Sequence, residues 1–281
     1  MFQYAAGRGV ATRLGVNLLL DLSWFNQATD RSFLLDKLCV EAKVRHREIG
    51  RDAAPSSRMR RRLLSRIFGR SASETSRIYS QPGFHFDETI FGIKPGTLLI
   101  GYFQSERFFI HIAEEIRAAF RPREPLSEYS AAIRAAIKEA KHPVSLHIRR
   151  GDYVENAHTN SVHGTCEPEY YLQAMRIIDA LSGGRAHYFV FSDDPGYARS
   201  LMAGKVQCTI VSGNADRPWE DLMLMAACRD NIIANSSFSW WAAWLNKAAD
   251  KMVIAPRRWF RRDTLIQNNT VDLYPDGWIT L

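Results

Sequence analysis

In the second half of the chain, apolar residues gather into short runs at 144–148, 187–192, 207–212, 230–234 and 251–255, each bounded by polar or turn residues. Short runs without polar alternation are what a strand buried on both faces requires. Between them, near 168–181, 196–203, 218–228 and 238–248, apolar residues recur at helical spacing. Such alternation predicts a parallel sheet with crossover helices, so this half reads as one Rossmann-like unit and the class as α/β. In the first half, Val16 to Leu22 and Thr97 to Tyr102 give strand signals. Glu106 to Phe120 and Ser127 to Lys141 read as helices, separated by Pro122 and Pro125. Two segments do not join the pattern: 50–80, polar and basic with Ser-rich flanks, and 256–281, irregular around Trp259 and Trp278.

Composition narrows the picture modestly. A chain of 281 residues with 46% hydrophobic content is long enough for two cores, and a division into 1–125 and 126–281 gives units of ordinary domain size. Cys39, Cys166, Cys208 and Cys228 lack Cys-x-x-Cys spacing and read as free thiols in a reducing compartment, not as a zinc site or a disulfide frame. No apolar run approaches the ~18 residues of a membrane span and no signal-peptide pattern precedes Phe2, which points to the cytoplasm. The net charge of +7 is concentrated. Arg58, Arg60, Arg61, Arg62, Arg66 and Arg70 alternate with Met59, Leu63, Leu64, Ile67 and Phe68 as in a basic amphipathic helix. A plain surface helix is one reading, adhesion to anionic lipid a second, and nucleic-acid binding the weakest. Arg257, Arg258, Arg261 and Arg262 around Trp259 and Phe260 read as surface packing, since no RNA-binding motif accompanies them.

Chemistry collects where strands end, the usual ligand position in open α/β sheets. After the 144–148 run comes His147-Ile148-Arg149-Arg150-Gly151-Asp152-Tyr153. Paired guanidinium forks suit phosphate, Gly151 permits unusual backbone, and Asp152 can orient an arginine, bind a sugar hydroxyl or take a proton. A surface ion pair is the bland alternative. After the second run, Asp193-Asp194-Pro195 is built to open a helix. After the fourth, Asn235-Ser236-Ser237 caps the helix that begins near Phe238, and a helix N-terminus can hold phosphate without lysine. Three such strand ends favour a nucleotide pocket over three unrelated caps. Trp240, Trp241 and Trp244 read as core packing before a sugar platform. His158 and His163, in a polar loop over 156–165 that suits an acceptor lid, lack a third metal ligand, and Glu155 reads as a solvated residue that competes with Asp152 as base.

Met1 to Ala5, Gly101 to Ser105, His147 to Tyr153, Ser192-Asp193-Asp194 and Asn235 to Trp241 together resemble the α-1,2-fucosyltransferases of glycosyltransferase family 11, in order from Met1 to about Trp259. The resemblance implies a GT-B architecture of two Rossmann-like domains facing a cleft, with an acceptor-side unit at 1–125 and a GDP-fucose-binding unit at 126–281. It implies inverting transfer of L-fucose from GDP-β-L-fucose to a galactose 2-hydroxyl of a surface glycan, without metal or other cofactor. It assigns Arg149 to the β-phosphate with Arg150 second, and His147 to support of the pocket. Asp193 goes to guanine or ribose, Asn235, Ser236, Ser237 and Phe238 to the donor, and Asp152 to catalysis as base or arginine-orienting group. Family members place a strand and a Gly-Gly-Leu-Gly-Asn-Gln turn before the segment matching Met1 to Ala5, so on this resemblance the chain as given is expected to be weakly stable and poorly active. Two alternatives stay open: a fucosyltransferase of other linkage or acceptor, or an inactive truncated paralogue that binds only nucleotide or membrane. Peripheral contact with the inner membrane through Arg58 to Arg70 is the expected partner surface, and nucleic acid is not expected.

Overall fold

The computed structural model describes residues 1–26, 32–45, 77–155, 157–204, 207–261 and 268–281, of which 152, 155 and 157–159 are described by their backbone. The basic segment Arg58 to Arg70 lies outside the described residues. The protein is α/β, as its alternation predicts.

A helix at Phe2–Leu14 is followed by strands β1 (Leu19–Asp21) and β2 (Lys43–Arg45), which pair in parallel, and β3 (Ile78–Ser80) pairs in parallel with β4 (Leu98–Ile100). Then come β5 (His142–Ile148), β6 (Ala186–Ser192), β7 (Cys208–Val211), β8 (Asp230–Ile232), β9 (Val253–Ala255) and β10 (Ile279–Thr280). These last six form one parallel sheet in the order β10-β9-β8-β5-β6-β7. The chain starts at the centre, builds outward on one side through β6 and β7, then returns to build the other side from β8. The switch therefore falls between β5 and β8, where open sheets leave a crevice at the carboxyl ends of the strands.

The continuous apolar runs are explained by burial on both faces. Val144, Leu146, Ile148, Tyr188, Val190, Ile232 and Ile254 point into one core, against the helices Pro168–Ser182 and Pro195–Met202. Phe189, Phe191, Val211, Ile233, Val253 and Ala255 point into the other, larger core with the helices Pro218–Ala227 and Ser237–Leu245. That larger core crosses residue 125: the Phe2 ring sits 4.5 Å from Trp240 and 4.8 Å from Trp241, and Phe109 stacks on Trp241 at 5.2 Å. Trp240, Trp241 and Trp244 are all buried, so the core-packing reading of these residues holds. The four cysteines are free.

Element bounds in the second half follow the sequence closely. Three differences stand out. Glu106 to Phe120 is two 3-10 turns, Glu106–Phe108 and Ile110–Ile112, before a short helix at Ala113–Ala119. The 156–165 loop contains a helix at Ala157–His163, and the irregular C-terminal segment ends in β10, hydrogen-bonded to β9. Among the described residues no helix is long and apolar enough to cross a membrane.

Candidate active site at the sheet switch point

Register brings the three predicted strand ends together. Ile148 pairs with Ser192 and Leu146 with Ile232, so the residues after β5, β6 and β8 emerge side by side. Each following segment is locally encoded. Asp194 accepts from the Tyr197 N–H at 2.9 Å and Pro195 starts the helix, while Ser236 Oγ accepts from the Phe238 N–H at 3.3 Å. Ser237 is exposed at the first turn of the Ser237–Leu245 helix, whose first main-chain donor with a partner in the helical ladder is Trp240, bonded to Ser236 O at 3.0 Å. This end of the helix, which follows β8, carries the positive end of the helix dipole.

Between β5 and β6 two arginines meet two aspartates. Arg149 Nη1 lies 2.9 Å from Asp193 Oδ2, and Asp193 Oδ1 accepts from the Arg150 N–H at 2.8 Å. Arg150 Nε donates to Asp194 Oδ2 at 3.2 Å, with its guanidinium 3.8 Å above the Tyr197 ring. The Arg149 and Asp193 side chains are 33% and 25% exposed, so their pair contributes at most ~1 kcal/mol to stability; its consequence is orientation. Gly151 makes this possible, because a Cβ there would lie 2.7 Å from Asp193 Oδ2. The Arg149 guanidinium also lies 5.6 Å from the Tyr153 ring centre. Tyr153 stacks on His163 at 5.0 Å and donates to Asn235 O at 3.2 Å, joining the β5 and β8 ends. The Asn235 side-chain amide donates to the carbonyls of His163, Gly164 and Trp259 at 3.1, 3.1 and 3.4 Å, which makes it a tie between loops.

His147 is 5% exposed, its ring 5.6 Å from that of Phe238, and its Nδ1 meets no hydrogen-bonding partner. Burial, assisted by the charge of Arg149, pushes its pKa down to about 3. It is neutral at working pH, able to donate from one ring nitrogen and accept at the other, and a poor base. Asp152 is the second residue of the helix Gly151–Glu155, with Glu155 its last. His158 lies in the Ala157–His163 helix.

Arg149, Arg150 and Asp193 thus meet at the β5 and β6 ends, His147 packs on Phe238, Tyr153 ties the β5 end to Asn235, and Ser236 and Ser237 open the helix after β8. Asp193 faces the arginines, a pairing that sequence did not foresee. Asp194, Tyr153, Tyr197 and Gly151 join them; Tyr153 closes the arginine heptad and Asp194 precedes Pro195, which was the available signal.

An α/β sheet with adjacent arginines and a helix N-terminus at the ends of neighbouring strands is suited to anionic, nucleotide-like groups. Residues 73–281 match the profile of glycosyl transferase family 11, and the chain belongs to that family. It is 32% identical to an O-antigen biosynthesis glycosyltransferase of Escherichia coli, WbnK, across 100% of this chain and 96% of the relative. It is 31% identical to an alpha-1,2-colitosyltransferase of Escherichia coli, across 100% of this chain and 94% of the relative. A galactoside alpha-(1,2)-fucosyltransferase 1 from Saimiri sciureus is 25% identical over 54% of this chain and 43% of its own. The protein is a glycosyltransferase, and membership of the family implies a nucleotide-sugar donor and a glycan acceptor.

Proposed function

We propose that this chain transfers L-fucose from GDP-β-L-fucose to the 2-hydroxyl of a galactose in a surface glycan, with inversion and without a metal. The observation that carries the reading is Arg149, held by Asp193 at the carboxyl end of β5, the strand paired with β8, after which the Ser237–Leu245 helix begins. In this reading Arg149 and the Ser236–Ser237 turn receive the diphosphate, and charge that develops on GDP as it leaves is met by a preorganised guanidinium. His147, neutral, supports the phosphate from the strand with a ring nitrogen. Asp152 takes the proton of the attacking hydroxyl or acts through the arginines. The two halves of the chain form the facing lobes of a GT-B cleft, with the acceptor on the side of residues 1–125.

The similarity to an alpha-1,2-colitosyltransferase makes colitose a second donor sugar to test. A donor panel of GDP-fucose, GDP-colitose, GDP-mannose and UDP-galactose, incubated with lactose and EDTA, decides between them. Release of GDP with a 2-linked fucosyl product supports the proposal. Turnover of GDP-colitose alone reassigns the donor, and loss of all turnover in EDTA removes the metal-independent mechanism.

A further inference from the structure

The proposed diphosphate grip has two arms on different strands, Arg149 after β5 and the Ser236–Ser237 turn after β8. Main-chain pairing of these strands ends at Leu146 and Ile232, short of both arms. Past those residues, side chains hold the segments together. Tyr153 reaches both. The Arg149 guanidinium lies 5.6 Å from the centre of its ring, and its hydroxyl donates at 3.2 Å to the carbonyl of Asn235, the residue before Ser236. The ring is fixed in turn. It stacks on His163 at 5.0 Å with the planes 12° apart, and the Tyr153 carbonyl accepts from Asn160 Nδ2 at 2.6 Å. A tyrosine so held is a rigid spacer between a cation and a carbonyl.

Asn235 is held from its own side. It is 2% exposed, its Nδ2 donates to the carbonyls of His163, Gly164 and Trp259, and its Oδ1 accepts from Cys166 Sγ at 3.5 Å. Both ends of this buried amide are engaged within the protein, the state in which a polar side chain fixes its neighbours rather than a ligand. The two residues also share the stretch between them. Asn160, in the Ala157–His163 helix, grips the Tyr153 carbonyl, while the carbonyls at the end of that helix, His163 and Gly164, accept from Asn235. The segment after the arginines is therefore tied back to the β8 end at both of its own ends.

We propose that Tyr153 and Asn235 are positioning residues: they do not touch the donor, and they set the spacing between Arg149 and the Ser236–Ser237 turn to suit a diphosphate. The inference rests on the donor reading above and deepens it. Its consequence is selective. One arm is enough for a monophosphate, whereas a diphosphate uses both, so loosening the link costs the second phosphate and spares the nucleoside. Calorimetry in EDTA gives the affinities for GDP and for GMP, the weaker by displacement. Tyr153→Phe keeps the ring against His163 and Arg149 but loses the bond to Asn235. Its preference for GDP over GMP is expected to fall roughly tenfold, the worth of one such hydrogen bond, with GMP affinity and melting midpoint little changed. Asn235→Ser, which releases the three carbonyls, is expected to show the same fall and decides in its place should Tyr153→Phe not fold. Both affinities are read on one preparation, so their ratio is independent of any unfolded fraction. A wild-type preference for GDP in Tyr153→Phe overturns the proposal. So does an equal loss for GDP and GMP, which would make these side chains contacts of the nucleoside. A wild type that does not prefer GDP to GMP overturns the diphosphate reading of Arg149 instead, and the two failures are told apart.

Discussion

At the scale of single residues, the donor site depends on how Arg149 is held. Lysine at 149 keeps the charge but loses the rigid planar fork that can present one edge to Asp193 and another to a phosphate. Arg149→Lys is expected to weaken GDP binding by ~1.5–3 kcal/mol, read by calorimetry in EDTA; unchanged affinity would remove the residue from the pocket. Gly151→Ala tests the same arrangement from behind, because its new Cβ displaces Asp193. It should weaken GDP binding with little loss of melting temperature, whereas a variant that melts early with normal GDP affinity would make Gly151 merely structural. His147 gives a pH signature. Its folded pKa, near 3, lies below the ordinary 6.5, so the unfolded chain binds a proton that the native state refuses. Its contribution is therefore complete above pH 6.5 and is lost as pH falls from there toward 3. Asp221, raised to about 6 by burial, works oppositely, gaining stability as pH falls through 6. Comparing melting curves between pH 7.5 and 5 for wild type and His147→Gln isolates the histidine: the wild type should lose stability more steeply, and parallel slopes would contradict the assignment.

Among elements, what sequence could reveal depended on how far each signal was local. The strands of the large sheet and their helices were legible because both faces of β5 and β6 are covered, and because Pro168, Pro195 and Pro218 open helices where the pattern expects them. β10 was not, being two residues whose only warrant is the neighbouring β9. The Phe2–Leu14 helix was also missed, for a physical reason: part of its buried face is glycine. A Cβ on Gly9 would lie 2.5 Å from the Phe108 main-chain oxygen and one on Gly7 2.9 Å from Leu18 Cδ1, so the packing here leaves no room for side chains and the helix shows a weak apolar stripe. In the candidate site the arginines and the Ser236 cap were legible as motifs. The partner of Arg149 was not, since it follows from the β5–β6 register across more than forty residues of chain. The glycine account yields its own test. On helix propensity alone, Gly9→Ala should stabilise by ~1 kcal/mol. Contact with a main-chain oxygen reverses the sign, so a net loss of ~1–3 kcal/mol is expected in urea unfolding, and a stabilised variant would mean that the helix does not pack this closely.

For the molecule as a whole, the question is whether the two halves are separate folding units. A boundary near residue 125 suits chain length, yet the larger core does not stop there. Phe2 and Phe109 from one side pack on Trp240 and Trp241 from the other, Tyr4 lies 5.6 Å from Phe120, and Phe120 meets Trp241 edge-on at 4.9 Å. Polar ties follow the same course. Trp244 Nε1 donates to Glu106 Oε2 at 2.8 Å, the Phe86 N–H to Asp272 at 2.9 Å, and Arg107 pairs with Asp272 at 3.0 Å. Truncating a buried tryptophan costs ~3–5 kcal/mol, a large part of the ~5–15 kcal/mol that holds a typical domain. If the halves fold as one, Trp241→Ala should lower a single transition, with tryptophan fluorescence and far-UV circular dichroism still coinciding along the urea curve. If they fold separately, the variant should split the curve, one half melting early while the other keeps the wild-type midpoint. The aromatic cluster favours the single transition, because Trp241 contacts rings from both halves at once and its removal opens a cavity that belongs to both.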